Sequence, residues 1–249
     1  MILLPLCKKQ FTQTQKSGFL NLLNAMENGR RLPRDMILDV IEGVPSRERS
    51  EPLSLVTQDG KVECRHFCVP GASRGALWVG GIGNSRGTPV EALYTDSACT
   101  LTKEGITSLQ VHFRHRERLQ DSAYDVEAGL AYLHSKGIRS VALIGHSFGG
   151  AVVIRVASQI SIVRTVITLA AQSLGAEEVI HLKPCCSILL LHGTEDTVVP
   201  CGCSQYLHRL AQTRKKLLLC PGADHNFKPL TDIVQQRVQE WICKELNED

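Results

Sequence analysis

Ser147 stands at the centre of Gly145-His146-Ser147-Phe148-Gly149, between the apolar run 140–144 and the helix-like stretch 150–158. A serine with a glycine two residues away on either side, at a strand-to-helix junction, can occupy a tight, strained turn that points its hydroxyl at solvent. A neutral hydroxyl is a poor nucleophile and needs a base within hydrogen-bond reach. His225, in Gly222-Ala223-Asp224-His225-Asn226-Phe227 after the run 216–220, is a side chain able to take and return a proton near neutral pH. An acid that fixes the imidazole's tautomer completes such a set, and the segment after the run 188–192 offers both Glu195 and Asp196. Asp196 lies 49 residues after Ser147, and His225 a further 29. Each gap holds about one strand–helix unit or one and a half, so the three groups should meet at one edge of a parallel sheet. Asp224 reads as a loop-structuring residue; His146 and His192 read as shape-setting rather than proton-carrying.

The elements that must position these groups can be read from hydrophobic periodicity. Residues 53–57 and 62–69 suggest a hairpin around Asp59-Gly60. Strands are expected at 76–79, 108–113, 140–144, 165–169, 188–192 and 216–220, with helices near 90–103, 121–136, 150–158 and 230–246. Ala123, Val126, Leu130 and Leu133 share one helical stripe, and Gly137 is its C-terminal stop. Strands alternating with helices over roughly 190 residues predict an α/β fold: a mostly parallel, twisted sheet of about eight strands, covered on both faces. Only the 17 residues 170–186 separate the strand after the serine turn from the next, which leaves no room for a large helical lid there.

Residues 1–50 read differently, as an N-terminal helical arm before a catalytic domain at 51–249. Phe19, Leu20, Leu22, Leu23 and Met26 suggest one short amphipathic helix, and Met36, Ile37, Val40 and Ile41 another. The arm is expected to pack on the body; covering the site or joining a second copy are the sharper roles. The net charge of the 249-residue chain is +3, and the excess lies in the arm, so the body is balanced and nucleic acid is not an expected partner. The ten cysteines lack paired metal-ligand spacing, so no metal is expected. No stretch approaches the roughly 18 apolar residues needed to span a bilayer. A soluble, cytoplasmic protein with no cofactor is the expectation.

With its serine, acid and histidine in that order, the chain from about Leu53 to Leu246 resembles the α/β-hydrolase superfamily, in particular its lid-less, dienelactone-hydrolase-like and small esterase members. The resemblance implies a Ser147–Asp196–His225 triad, with Asp196 preferred over Glu195 because its distance to Val199-Pro200 matches the family pattern. It also implies an oxyanion hole formed by the backbone N–H groups of Phe148 and Ile82. Gly80-Gly81-Ile82-Gly83 stands where relatives carry His-Gly-x-Gly, so Gly80 replaces the histidine; Gly81 and Gly83 would let the substrate approach. Arg86, past that loop, and Arg114, in the run Arg114–Arg118, are ordinarily read as solvated surface. The sharper expectation is that one of them holds an acidic group on the substrate.

The activity implied is hydrolysis of small-molecule carboxylic esters with small or medium acyl groups, through an acyl-enzyme. The same triad would serve a thioesterase or an aminoacyl-peptide hydrolase, and a fold of this kind can persist as a non-catalytic binding protein.

Overall fold

Side chains alternate between two apolar surfaces along the central strands, and this decides the architecture. In the computed structural model, which describes residues 36–43, 50–82 and 88–247, these strands belong to one nine-stranded sheet. The strands are β1 (Asp39–Glu42), β2 (Glu51–Thr57), β3 (Gly60–Phe67), β4 (Arg74–Val79), β5 (Ile106–His112), β6 (Ser140–His146), β7 (Val163–Leu169), β8 (Ser187–Gly193) and β9 (Lys215–Cys220). Their order is β1-β2-β3-β5-β4-β6-β7-β8-β9. The first three and β5 pair antiparallel, and every pair from β5–β4 through to β9 is parallel. Nine strands thus replace the eight expected.

The helices are α1 (Pro89–Lys103), α2 (Leu119–Ser135), α3 (Phe148–Ala157), α4 (Gly202–Leu210) and α5 (Thr231–Asn247). Leu77, Val79 and Leu143 point to one face, where they pack with Val126, Leu130 and Leu133 of α2 and Val152, Val153 and Val156 of α3. Trp78, Ala142 and Ile144 point to the other, against Leu93 and Leu101 of α1 and Val234, Val238 and Ile242 of α5. Strands buried on both sides in this way read as continuous apolar runs, which is why they stood out in the sequence. Thr88 caps α1, accepting the Glu91 N–H at 3.2 Å, with Pro89 in the first turn. Between β7 and β8 there is only a 3₁₀ turn at Glu177–His181, and no lid.

The sequence reading of Met36–Ile41 as a helix does not hold. Asp39–Glu42 form β1, pairing Asp39 with Val56 and Glu42 with Leu53. Met36, Ile37 and Val40 rest on the core, while Leu38 and Ile41 are exposed. Backbone pairing to an otherwise open β2 edge decides the matter, because it satisfies amide groups that a short isolated helix would leave marginal. The helix expected at Phe19–Met26 lies outside the described residues. The 9-residue helix α4 was not anticipated at all.

Candidate active site

β6 ends at His146, and α3 begins at Phe148, so the whole reversal is made at Ser147. Its backbone sits at φ 56°, ψ −119°, a region that residues with a Cβ rarely enter. A Cβ on Gly145 would lie 2.2 Å from the Gly149 oxygen, so the glycine spacing is a steric requirement of this turn. The strained serine is held by its own N–H donating to Leu169 O (2.8 Å) and by its carbonyl accepting from Gly150 N–H (3.0 Å). Partial exposure and a place at the α3 N-terminus put its hydroxyl where helix amides favour developing negative charge.

The segment after β4 packs directly on this turn. A Cβ on Gly81 would come within 3.2 Å of Ser147 Cβ, and one on Gly149 within 2.4 Å of Gly80 O. Tyr94 on α1 donates its hydroxyl to Val79 O at 3.0 Å and so anchors the end of β4. Ile82 follows and is exposed. Gly83 and Arg86 lie outside the described residues.

Asp196 and His225 are in direct contact: the imidazole Nδ1–H donates to Oδ2 at 2.7 Å. In the neutral ring this leaves Nε2 with its lone pair. The Asp196 side chain is fully buried and that of His225 slightly exposed, whereas Glu195 is exposed. Asp196 Oδ1 accepts the N–H groups of Val198 and Val199, both at 2.8 Å. Burial works to raise this carboxyl's pKa, but the Val199 amide, His225 and the Val198 amide outweigh it and leave it below the ordinary value. The acid and histidine loops are stitched together by Glu195 N–H to Ala223 O and Gly222 N–H to Thr194 Oγ1. Asp224 Oδ1 accepts from Asn226 and Lys228 N–H groups, which shapes the histidine loop.

His146, the neighbour of Ser147, joins the turn to this pair. Its Nε2–H donates to the His225 carbonyl at 2.9 Å, and the two rings are in contact, tilted by 50° with centroids 4.6 Å apart. Burial holds its pKa down to about 4, so it stays neutral. No hydrogen bond joins the Ser147 hydroxyl to His225 among the described residues; the link runs one residue away, through His146.

Arg114 is brought elsewhere. Its Nε–H donates to Asp125 Oδ1 at 2.6 Å, its N–H to Asp125 Oδ2 at 2.8 Å, and Nη1 to Thr57 Oγ1 at 3.3 Å. With 11% of its side chain exposed, it fastens β2 and α2 together, and this geometry gives no support to the expected hold on a substrate carboxylate. Sequence reasoning did not anticipate that His192 also reaches Asp196 Oδ2, at 3.2 Å. The signal available was the four-residue spacing from the end of β8.

A family model described as the dienelactone hydrolase family matches residues 91–240. No curated protein matches the sequence. Among solved structures, the chain is similar to a dienelactone hydrolase from Anabaena variabilis (20% identity, TM-score 0.68, 80% of this chain and 99% of that one). It is likewise similar to Est1E from Butyrivibrio proteoclasticus (16%, 0.68, 79% and 99%), a protein also solved with ferulic acid bound. XC6422 from Xanthomonas campestris, described as a serine hydrolase without a lid, matches at 17% identity and TM-score 0.66 over 83% of this chain and all of that one. At such identities the likeness carries the fold alone, but the family model spans most of the body and includes the serine turn and both loops. The chain belongs to the dienelactone hydrolase family and has its lid-less α/β-hydrolase fold.

Proposed function

We propose that this protein is a serine hydrolase that cleaves carboxylic esters of small or medium acyl groups through an acyl-enzyme. The observation that carries the reading is the buried Asp196–His225 pair, bonded at 2.7 Å, in loops tied to a strained serine turn. His225 Nε2 takes the Ser147 proton as Oγ bonds the ester carbonyl carbon, and the carbonyl electrons move onto oxygen. The N–H groups of Phe148 and Ile82 stabilise that oxyanion. Collapse of the intermediate expels the alcohol, which leaves with the proton from His225. Water, activated by the same histidine, then attacks the acyl group, and the acid and free Ser147 result. Contact between serine and base commonly tightens only when substrate is bound. Ferulic acid bound to Est1E supports a small carboxylic acid as the product class.

Ser147→Ala is the test. Hydrolysis of p-nitrophenyl acetate and butyrate should fall on the order of 10⁶-fold with an unchanged circular dichroism spectrum. A fluorophosphonate should label wild type at Ser147 and spare the variant. Turnover that survives in the variant would reject the reading.

A further inference from the structure

Asp196 lies in a loop with little packing of its own: Thr194, Glu195, Thr197 and Val198 are all exposed. Its Oδ1 is held by amides of that same loop, and its Oδ2 by His225, which is itself on a loop. His192, the penultimate residue of β8, has a fully buried side chain and brings Nε2 to 3.2 Å from Oδ2 and 2.8 Å from Val199 O. Its Nδ1 is 2.7 Å from the hydroxyl of Ser204 on α4, a residue with no exposed surface. Both neighbours of Nε2 are acceptors only, so Nε2 carries the hydrogen; Nδ1 is then the acceptor, and Ser204 donates.

We propose that His192, with Ser204 behind it, is a positioning residue that holds the Asp196 carboxylate in the orientation His225 needs. The inference rests on the triad reading above. His225 reaches Oδ2 from a loop, while His192 reaches it from β8 with an Nε2–H that is also held by the carbonyl of Val199, the residue whose own N–H donates to Oδ1. The titratable groups acting on His192 are Asp196 and His225, and burial lowers its pKa, so it contributes a fixed neutral donor rather than a second charge. A fixed donor holds geometry without competing for the proton that His225 must receive.

Three substitutions in the full chain test this, read by kcat and KM on p-nitrophenyl acetate, fluorophosphonate labelling and thermal midpoint. His192→Leu should lower kcat about 10–100-fold, as loss of an outer partner does at other sites, with KM nearly unchanged. His192→Gln should recover most of that loss, because its side-chain amide nitrogen can overlay Nε2. Ser204→Ala, which frees the ring to change tautomer, should fall between. An unchanged kcat in both His192→Leu and Ser204→Ala overturns the inference, whatever the thermal midpoint does. Should His192→Leu fail to fold, Ser204→Ala and nitrogen NMR of the wild type decide: the Nε2–H tautomer supports the inference, and an Nδ1–H or doubly protonated ring overturns it. A wild type with neither turnover nor labelling rejects the triad itself, and this inference with it.

Discussion

Two aspartates among the described residues have side chains sealed completely from solvent, and they are treated in opposite ways. Asp125, on α2 beneath the antiparallel half of the sheet, is clamped by the Arg114 guanidinium and backbone amide. Asp196, at the far end of the parallel half, meets no cation of fixed charge among its recorded partners, only two amides and two imidazoles. Burial raises the Asp125 pKa despite the arginine, while around Asp196 the hydrogen bonds win and the pKa falls. A guanidinium neutralises a carboxylate permanently, which suits a fastener. Amides and imidazoles keep it ionised yet leave its charge available to a histidine that, in the proposed reaction, gains and loses a proton.

The strongest way to break this contrast is to remove each charge in turn. Asp196→Asn keeps the Oδ1 acceptor for Val198 and Val199, so the fold should survive. Its new amide can donate toward His225 Nδ1 and impose the wrong tautomer, and kcat should fall by about 10⁴-fold, roughly 5 kcal/mol of barrier. A steady-state assay with activity near wild type would remove Asp196 from the mechanism. Asp125→Ala should do the reverse. It strands a nearly buried guanidinium and should cost about 3–5 kcal/mol in denaturant unfolding, with kcat of the remaining folded protein close to wild type.

Acid separates the halves less sharply, since each holds a buried histidine. His146, beside the candidate nucleophile, and His66, on β3 with its Nε2 buried and without a hydrogen-bond partner, are both held at about 4 against an ordinary 6.5. Burial is the main cause in both, with Lys136 adding to it at His66. The unfolded chain takes up these protons as pH falls through 6.5, and the folded chain refuses them until about 4. Stability is therefore complete above pH 6.5 and is lost as pH falls toward 4, by about 3 kcal/mol per histidine. Urea midpoints at pH 7.5 and 4.5 should show this, and His66→Phe should abolish its own share while leaving that of His146.

The two halves also differed in how legible they were. The serine turn was readable because its constraint is local: Gly145 and Gly149 are needed by sterics within five residues. β6, β7 and β8 were readable because burial on both faces gives each a mostly apolar core, with polar residues at the ends of β6 and β8 and only Arg164, Thr165 and Thr168 interrupting β7. β1 was not, since Val40 and Ile41 fit a helix face or an edge strand equally, and only the register with β2, more than ten residues away, chooses. Arg114 read as solvated surface or substrate anchor because Asp125 comes 11 residues later, across a loop and onto a helix. α4 escaped notice because only Ser204 and Leu207 of its nine residues are buried, too few for a periodic signal. His192 was seen as shape-setting, but its partner Ser204 lay in that unseen helix.

The smallest effect sharpens the contrast most. Each aspartate's partner is backed by a hydroxyl: Thr57 Oγ1 behind Arg114 at 3.3 Å, Ser204 Oγ behind His192 at 2.7 Å. Thr57 accepts from a cation already paired with Asp125, and its hydroxyl also donates to Gly60 O at the hairpin. Thr57→Val therefore removes ordinary hydrogen bonds at a partly exposed site and should cost about 1 kcal/mol in stability, with kcat unmoved. Ser204, by contrast, selects which nitrogen of a buried ring carries the proton, so its loss should register in kcat beyond any change in stability. Equal behaviour of the two variants, both silent in kcat or both reducing it, would show that the outer hydroxyls do not follow the division between fastener and proton-handling site.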